Sequence, residues 1–248
     1  MKLVHFTISM FILVSNCFGQ EKVSEKKFEP IALVNKITFF DSKFDQARFS
    51  CGFLLKLDND TFAVTAKHLF KIIKTDKMNT ISFDNGIKNW MLFNLVKPEE
   101  NVEVDNLINE NKQELIAHKA TYNEDWLVFA IKENHSKVKA LEIRTSPLIL
   151  GEKLYAIGWT RKMESGTQRV YEFEYFKTLD QRILLKDVIV PDLFGGLSGA
   201  PVVDGNGKVV GIVSGKTIDP DTEKSYFSPC TLTGLKSFLE TYLKLKYN

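Results

Sequence analysis

No stretch of a single charge sign runs along this chain. Its 33 lysines and arginines stand against 31 aspartates and glutamates over 248 residues, a formal net charge of +2. A surface that tracks phosphates needs clustered cations, so nucleic acid is excluded as an expected partner. Zinc-ligand spacings, a phosphate-binding glycine loop and a dinucleotide fingerprint are all missing, so neither a metal nor a cofactor is implied. There is no repeat at a solenoid period and no low-complexity tract. Cysteine is limited to Cys17, Cys51 and Cys230, and histidine to His5, His68, His118 and His135. No apolar run is long enough to cross a bilayer core of about 30 Å as a helix.

What is present begins with MKLVHFTISMFILVSNCFGQ, in which one lysine precedes an apolar run from Leu3 to about Val14. This matches the hydrophobic region of a secretory signal peptide. We expect a signal peptide over residues 1–20, cleaved after Gly19 or Gln20, and hence an exported chain: periplasmic, cell-surface or secreted. Two other readings are an acylated Cys17 and a buried N-terminal strand. Residues 21–30, EKVSEKKFEP, are polar and aperiodic, as a loosely held arm would be. Export leaves Cys51 and Cys230 in an oxidising compartment, where either a disulfide or two buried thiols fit.

From residue 31 the chain is 44% hydrophobic in character like the whole, and its apolar residues fall in short β-branched and aromatic runs. IALVNKITFF, ARFSCGFLLKLD, TFAVTAKHLF, NTISFD, NWMLFNLVK and DWLVFAIK come first, then KLYAIGW, RVYEFEYFKTL, RILLKDVIV, APVVD, KVVGIVSG and SYFSPC. Separated by Asn, Asp, Gly and Lys clusters, they predict two β units, over 31–142 and 147–231. Asp204-Gly-Asn-Gly207 sits where a tight hairpin turn would. VEVDNLINENKQELIAHKA stands apart as an exposed excursion or a short helix. Leu232, Leu235, Phe238, Leu239, Tyr242 and Leu243 follow a three-four spacing, which predicts a helix over 232–246, with Thr231 or Thr233 as N-cap.

Chemistry concentrates in GGLSGAPVVDGNGKVVGIVSG, where glycines surround Ser198. Glycine permits positive φ and close backbone approach, as needed where main-chain N–H groups face a ligand. Serine is a poor nucleophile without a base and without donors for its oxyanion. His68 is the candidate base, since it ends a buried-looking strand, whereas His118 and His135 lie in polar segments. A positioned imidazole needs an acceptor to fix its tautomer. Asp125 fits, because it opens an apolar strand where an unpaired carboxylate is costly.

Together these contexts resemble the chymotrypsin-like (trypsin-like) serine peptidases. Thr65-Ala66-Lys67-His68 is similar to that family's Thr-Ala-Ala-His, Asp125-Trp-Leu-Val-Phe to its Asp-Ile-Ala-Leu-Leu, and Gly196-Leu-Ser198-Gly-Ala-Pro201 to its Gly-Asp-Ser-Gly-Gly-Pro. Cys51-Gly-Phe-Leu-Leu resembles the strand before the histidine, and Gly211-Ile-Val-Ser-Gly215 the strand that lines the cleft. The order of the three motifs agrees, and the likeness spans about residues 31–246.

The resemblance implies an all-β fold of two six-stranded antiparallel barrels with a C-terminal helix, the first barrel carrying His68 and Asp125 and the second Ser198. It implies a serine endopeptidase acting on a protein or peptide: Ser198 as nucleophile, His68 as base, Asp125 as orienting carboxylate, and N–H groups of Gly196 and Ser198 as oxyanion donors. Ser214 and Gly215 would border the substrate cleft. Asp192, six residues before Ser198, would select basic side chains, while Lys216 and Thr217 would favour acidic ones.

Departures from the pattern are informative. Leu197 replaces the aspartate that pairs with a new amino terminus in digestive relatives, and no activation site lies between Glu21 and His68, so no trypsin-type zymogen trigger is implied. Leu69 stands where a cysteine would follow the histidine. A catalytically silent relative that binds a peptide in the same cleft is the alternative. An esterase of the α/β-hydrolase class is not supported, because its serine lies between a strand and a helix and its triad runs in another order.

Overall fold

A computed structural model of the chain describes residues 23–84, 86–117 and 123–247. The signal-peptide region, Cys17, His5 and His118 lie outside the described residues.

The first half holds β1 (Ala32–Phe39), β2 (Gln46–Leu57), β3 (Asp60–Thr65), the short helix α1 (Leu69–Ile73), β4 (Thr80–Ile81), β5 (Ile87–Phe93), β6 (Asn101–Leu107), β7 (Asn111–Leu115), β8 (Leu127–Asn134) and β9 (Leu141–Glu142). Six of these strands close an antiparallel ring in the order β1, β5, β6, β8, β3, β2, with β2 returning to β1. Closure removes the sheet edges that would otherwise template aggregation. β9 adds a parallel pairing on β2, and β4 with β7 forms a separate ribbon. The excursion at 102–120 is therefore two strands as far as Leu115, not a helix. Val102, Val104 and Leu107 point to the core, and the register shift between Val104 and Leu107 breaks their alternation.

The second half closes as β10 (Lys153–Gly158), β11 (Arg169–Leu179), β12 (Arg182–Ile189), β15 (Ser225–Thr231), β14 (Val209–Ile218) and β13 (Pro201–Val203), in that ring order. The turn between β13 and β14 is the expected one: Asp204 Oδ1 accepts the N–H groups of Asn206 (2.8 Å) and Lys208 (3.0 Å), and Gly207 takes φ +78°. These are two closed six-stranded antiparallel barrels of the chymotrypsin-like type.

Helix α2 (Thr233–Tyr247) follows β15 and buries Leu235, Leu239 and Leu243. Its Phe238 packs on Trp126 (5.4 Å between centroids) and Tyr242 on Phe62, so a helix that leaves the second barrel is fastened to the first. Thr231, a candidate cap, instead hydrogen-bonds Gln181 through its hydroxyl. Among the described residues no helix is long and apolar enough to cross a membrane.

The barrels meet along β2 and β10. Residues Cys51–Leu55 are buried without alternation, which requires cover on both faces. Gly52 faces Leu92 and Asn35 inside the first barrel, while Cys51 faces Gly158 and Trp159 of the second. Cys51 and Cys230 are both free and buried. Residues 23–30, expected as a loose arm, are tied down: the Ser24 N–H reaches the Val170 carbonyl (2.8 Å), and Gln168 bonds the backbone of Glu29, Ile31 and Ala32.

Candidate active site

His68 stands between β3 and α1, just past the strand end, with a helical backbone (φ −61°, ψ −12°). The buried side chains of Leu69, Phe70 and Ile73 hold that turn against the first barrel. Apolar packing on α1 thus takes the place of the expected neighbouring cysteine as the anchor. Asp125 lies in the turn before β8 and is fully buried. Its Oδ1 accepts the backbone N–H of His68 (2.7 Å) and its Oδ2 lies 2.7 Å from His68 Nδ1. On the other side of the ring, His68 Nε2 is 2.9 Å from Ser198 Oγ. Three residues from two barrels, separated by up to 130 positions, form one continuous hydrogen-bonded row.

Burial works to push the Asp125 carboxyl up, but hydrogen bonds and charge from His68, with the Ser214 hydroxyl, outweigh it and hold the group below the usual carboxylate range. Ser214 donates its hydroxyl to Asp125 Oδ2. Its side chain therefore serves the carboxylate, and the residue also lines the cleft beside the row.

The serine loop is shaped by glycines at two points. Gly196 (φ +102°) passes so close to the Thr160–Arg161 peptide that a Cβ would overlap it. Gly199 (φ +81°) lies against the Thr65 hydroxyl and the Cys51 carbonyl, where again no side-chain carbon fits. The Gly195 carbonyl accepts the Arg161 N–H (2.6 Å) and the Leu197 carbonyl the Ala200 N–H (2.8 Å). In a trans peptide the N–H points opposite to the carbonyl. The N–H groups of Gly196 and Ser198 are thereby turned away from these two bonds. Ser198 in turn offers its carbonyl to the Cys51 N–H (2.9 Å), which docks the loop on the first barrel. Leu197 is fully buried near Gly158.

A cleft of about 450 Å³ opens beside the row, lined by His68, Gln181, Arg182, Ser214, Gly215 and Lys216 among others. Gly215 adds no side chain to it. Asp192 is exposed on the preceding loop and does not line this cleft. Lys216 Nζ lies 5.6 Å from the Phe194 ring centre, and Thr217 is occupied by Ser228 through their hydroxyls (2.8 Å). His135 is exposed beside Glu133, remote in role from the row.

Sequence reasoning missed Lys67. It is 4% exposed, bonds Glu114 at 3.0 and 3.2 Å and lies 5.7 Å from the Trp126 ring centre. The signal was a lysine in an otherwise apolar strand end, but its partner sits 47 residues away. Also missed was the buried network in which Cys51 O accepts from Thr65 Oγ1 (2.6 Å) and Asn35 Nδ2 (2.9 Å), with Asn35 Oδ1 taking the Trp90 indole N–H. It satisfies every polar atom behind the serine loop that it touches.

Fold and hydrogen-bonded row together describe a two-barrel protein with a serine and a histidine poised across the seam. The trypsin family model matches residues 39–238, and the chain belongs to that family. Among solved structures it is similar to the Rv3671c protease of M. tuberculosis in its active form (16% identity, 86% of this chain and 80% of that one, TM-score 0.53). It is also similar to neuropsin, a serine protease of mouse brain (15%, 87% and 95%, 0.59), and to GrC (17%, 91% and 99%, 0.61). No curated protein sequence matches the chain. Family and fold support a peptidase acting on protein or peptide substrates.

Proposed function

We propose that the chain is an exported serine endopeptidase that works through an acyl-enzyme. The observation that carries this reading is the row Asp125, His68, Ser198, with spacings of 2.7 and 2.9 Å. Ser198 Oγ attacks the scissile carbonyl while His68 Nε2 takes its proton and later returns it to the leaving amine. Asp125, kept ionised by its donors, holds the Nδ1 proton in place and stabilises the cationic ring. The developing oxyanion sits against the N–H groups of Gly196 and Ser198, whose peptides are pegged by the Arg161 and Ala200 N–H groups. Such preorganised donors contribute about 3 to 4 kcal/mol each. Substrate lies along Ser214 and Gly215 as an added strand. The buried Leu197 locks the serine loop through apolar packing, so activity needs no released amino terminus.

The test uses residues 21–248 and a fluorophosphonate probe, with the adduct located by mass spectrometry beside Ser198→Ala and His68→Ala. Labelling at Ser198 that vanishes in both variants supports the reading. A folded, unlabelled wild type refutes it and favours a silent relative that binds peptide in the cleft. Side-chain preference then separates the Asp192 reading, basic residues, from the Lys216 and Thr217 reading, acidic ones.

A further inference from the structure

Away from the cleft, the strapped segment 23–30 encloses a groove of about 550 Å³ with loops and a strand end of the two barrels. That volume is in the range of pockets that hold ligands, about 300 to 1,000 Å³. Val23, Phe28, Trp159 and Val170 contribute apolar surface to it. Around them stand Lys26, Lys27, Lys97, Lys137 and Arg169, with Glu100 the one acidic residue of the lining among the described residues. Glu100 is paired to Lys97 (3.4 Å), and Lys26 rests over the Phe28 ring. Among the described residues Lys27, Lys137 and Arg169 have no carboxylate within ion-pair distance. This concentration of cations is unlike the chain as a whole, whose charges nearly cancel.

The groove is built rather than incidental. Ser24 pins one end of the strap, through its N–H to the Val170 carbonyl and its hydroxyl to Glu172 Oε2 (3.1 Å). Gln168 pins the other by bonding Glu29, Ile31 and Ala32. Trp159 is held by its indole N–H on the Gly166 carbonyl (2.8 Å) and by its backbone N–H on Cys51 Sγ (3.4 Å). Cys51 Sγ also reaches the Gly196 carbonyl (3.3 Å), so Trp159, which lines the groove, is linked through Cys51 to the serine loop.

We infer that this groove binds an acidic peptide segment carrying an apolar anchor. With Lys97 already paired to Glu100, the remaining cations, Lys26, Lys27, Lys137 and Arg169, come from three separate stretches of chain, so a ligand must present several spaced negative charges to satisfy them. A single carboxylate or headgroup reaches one or two. The apolar lining demands in addition an aliphatic or aromatic side chain between those charges, which a bare polyanion lacks. An extended peptide with acidic residues on either side of a phenylalanine or leucine has both features. This site is independent of the proposed catalysis, because binding needs neither Ser198 nor His68.

The probe is a fluorescein-labelled peptide, Asp-Glu-Phe-Asp-Leu-Glu, titrated by anisotropy into Ser198→Ala protein, in which the peptide stays intact whether or not the wild type is a peptidase. We expect saturable binding, weakened about tenfold by Lys27→Glu with Lys137→Glu, and retained by Lys27→Arg with Lys137→Arg. Circular dichroism confirms that both double variants are folded. Raising salt from 0.1 to 1 M shortens the screening length from about 10 to about 3 Å and weakens binding. Equal binding of a peptide with lysines in place of its acids overturns the inference, as does unchanged binding by the charge-reversed variant. Displacement by inorganic tripolyphosphate at the peptide's own concentration also overturns it, because the groove then reads charge alone.

Discussion

Asp125→Asn is the sharpest perturbation of the site, because it keeps the shape and changes only which atoms donate. Asp125 accepts three hydrogens: from the His68 backbone at Oδ1, and from His68 Nδ1 and the Ser214 hydroxyl at Oδ2. An asparagine has one acceptor and one NH₂. The backbone N–H cannot change its role, and an NH₂ turned toward it would leave a buried donor unsatisfied at a cost of about 1 to 3 kcal/mol. The amide oxygen therefore takes the Oδ1 position and the NH₂ faces Nδ1. The imidazole answers by moving its proton to Nε2, which then donates toward Ser198 and cannot accept from it. For this exchange in the Ser-His-Asp arrangement the loss in turnover is about 10⁴-fold, or about 5 kcal/mol of barrier. The assay is the rate of fluorophosphonate labelling at Ser198, with circular dichroism to show a native fold. Labelling of the variant within about tenfold of wild type refutes the tautomer argument. The same pair of proteins carries a pH dependence. Asp125 is lower in the folded chain than the unfolded value of about 3.9. Its contribution to stability is thus fully present above that value and is lost as pH falls through the folded one. Urea midpoints of wild type and variant differ at pH 7 and converge below about pH 4.

Two further outcomes follow from the packing behind the serine. Gly199→Ala places a Cβ on the Thr65 hydroxyl and the Cys51 carbonyl at φ +81°. The left-handed conformation costs about 1 to 2 kcal/mol and the overlap about 1 to 3, together about 2 to 5 kcal/mol, read as a shift of the urea midpoint. A loss under about 0.5 kcal/mol shows that the two barrels do not pinch the loop there. Burial pushes the Cys51 thiol up to about 12 and raises Cys230 as well. In protein beginning at residue 21, iodoacetamide at pH 8 leaves both thiols untouched until guanidinium is added. An intact mass lower by two hydrogens identifies a disulfide instead and refutes the two-thiol structure.

The residues of the hydrogen-bonded row were legible because each carries its own local signal: a histidine at a strand end, a carboxylate before an apolar strand, a serine among glycines. The turn at Asp204 and the three-four spacing of α2 are equally local. What escaped was whatever depends on a distant partner or a broken period. In β6 the irregular register after Val104 moves the next buried residue to Leu107, so a strand shows the spacing of three that marks a helix. β7 is almost wholly exposed and owes its place to pairing with β4, which leaves no apolar pattern to read. The strap at 23–30 looks loose because its anchors, Gln168 and Val170, lie well over a hundred residues away. Lys67 and the Ser214 hydroxyl belong to the same class: each meets its carboxylate only after the chain has closed. Local sequence therefore nominated the groups able to react. The positions that orient them, Cys51 beneath Ser198, Thr65 against Gly199 and Arg161 on Gly195, arise only where one barrel meets the other or the loop folds back. The geometry of the hydrogen-bonded row is accordingly a property of the seam, and substitutions at these supporting positions are expected to move Ser198 without touching it.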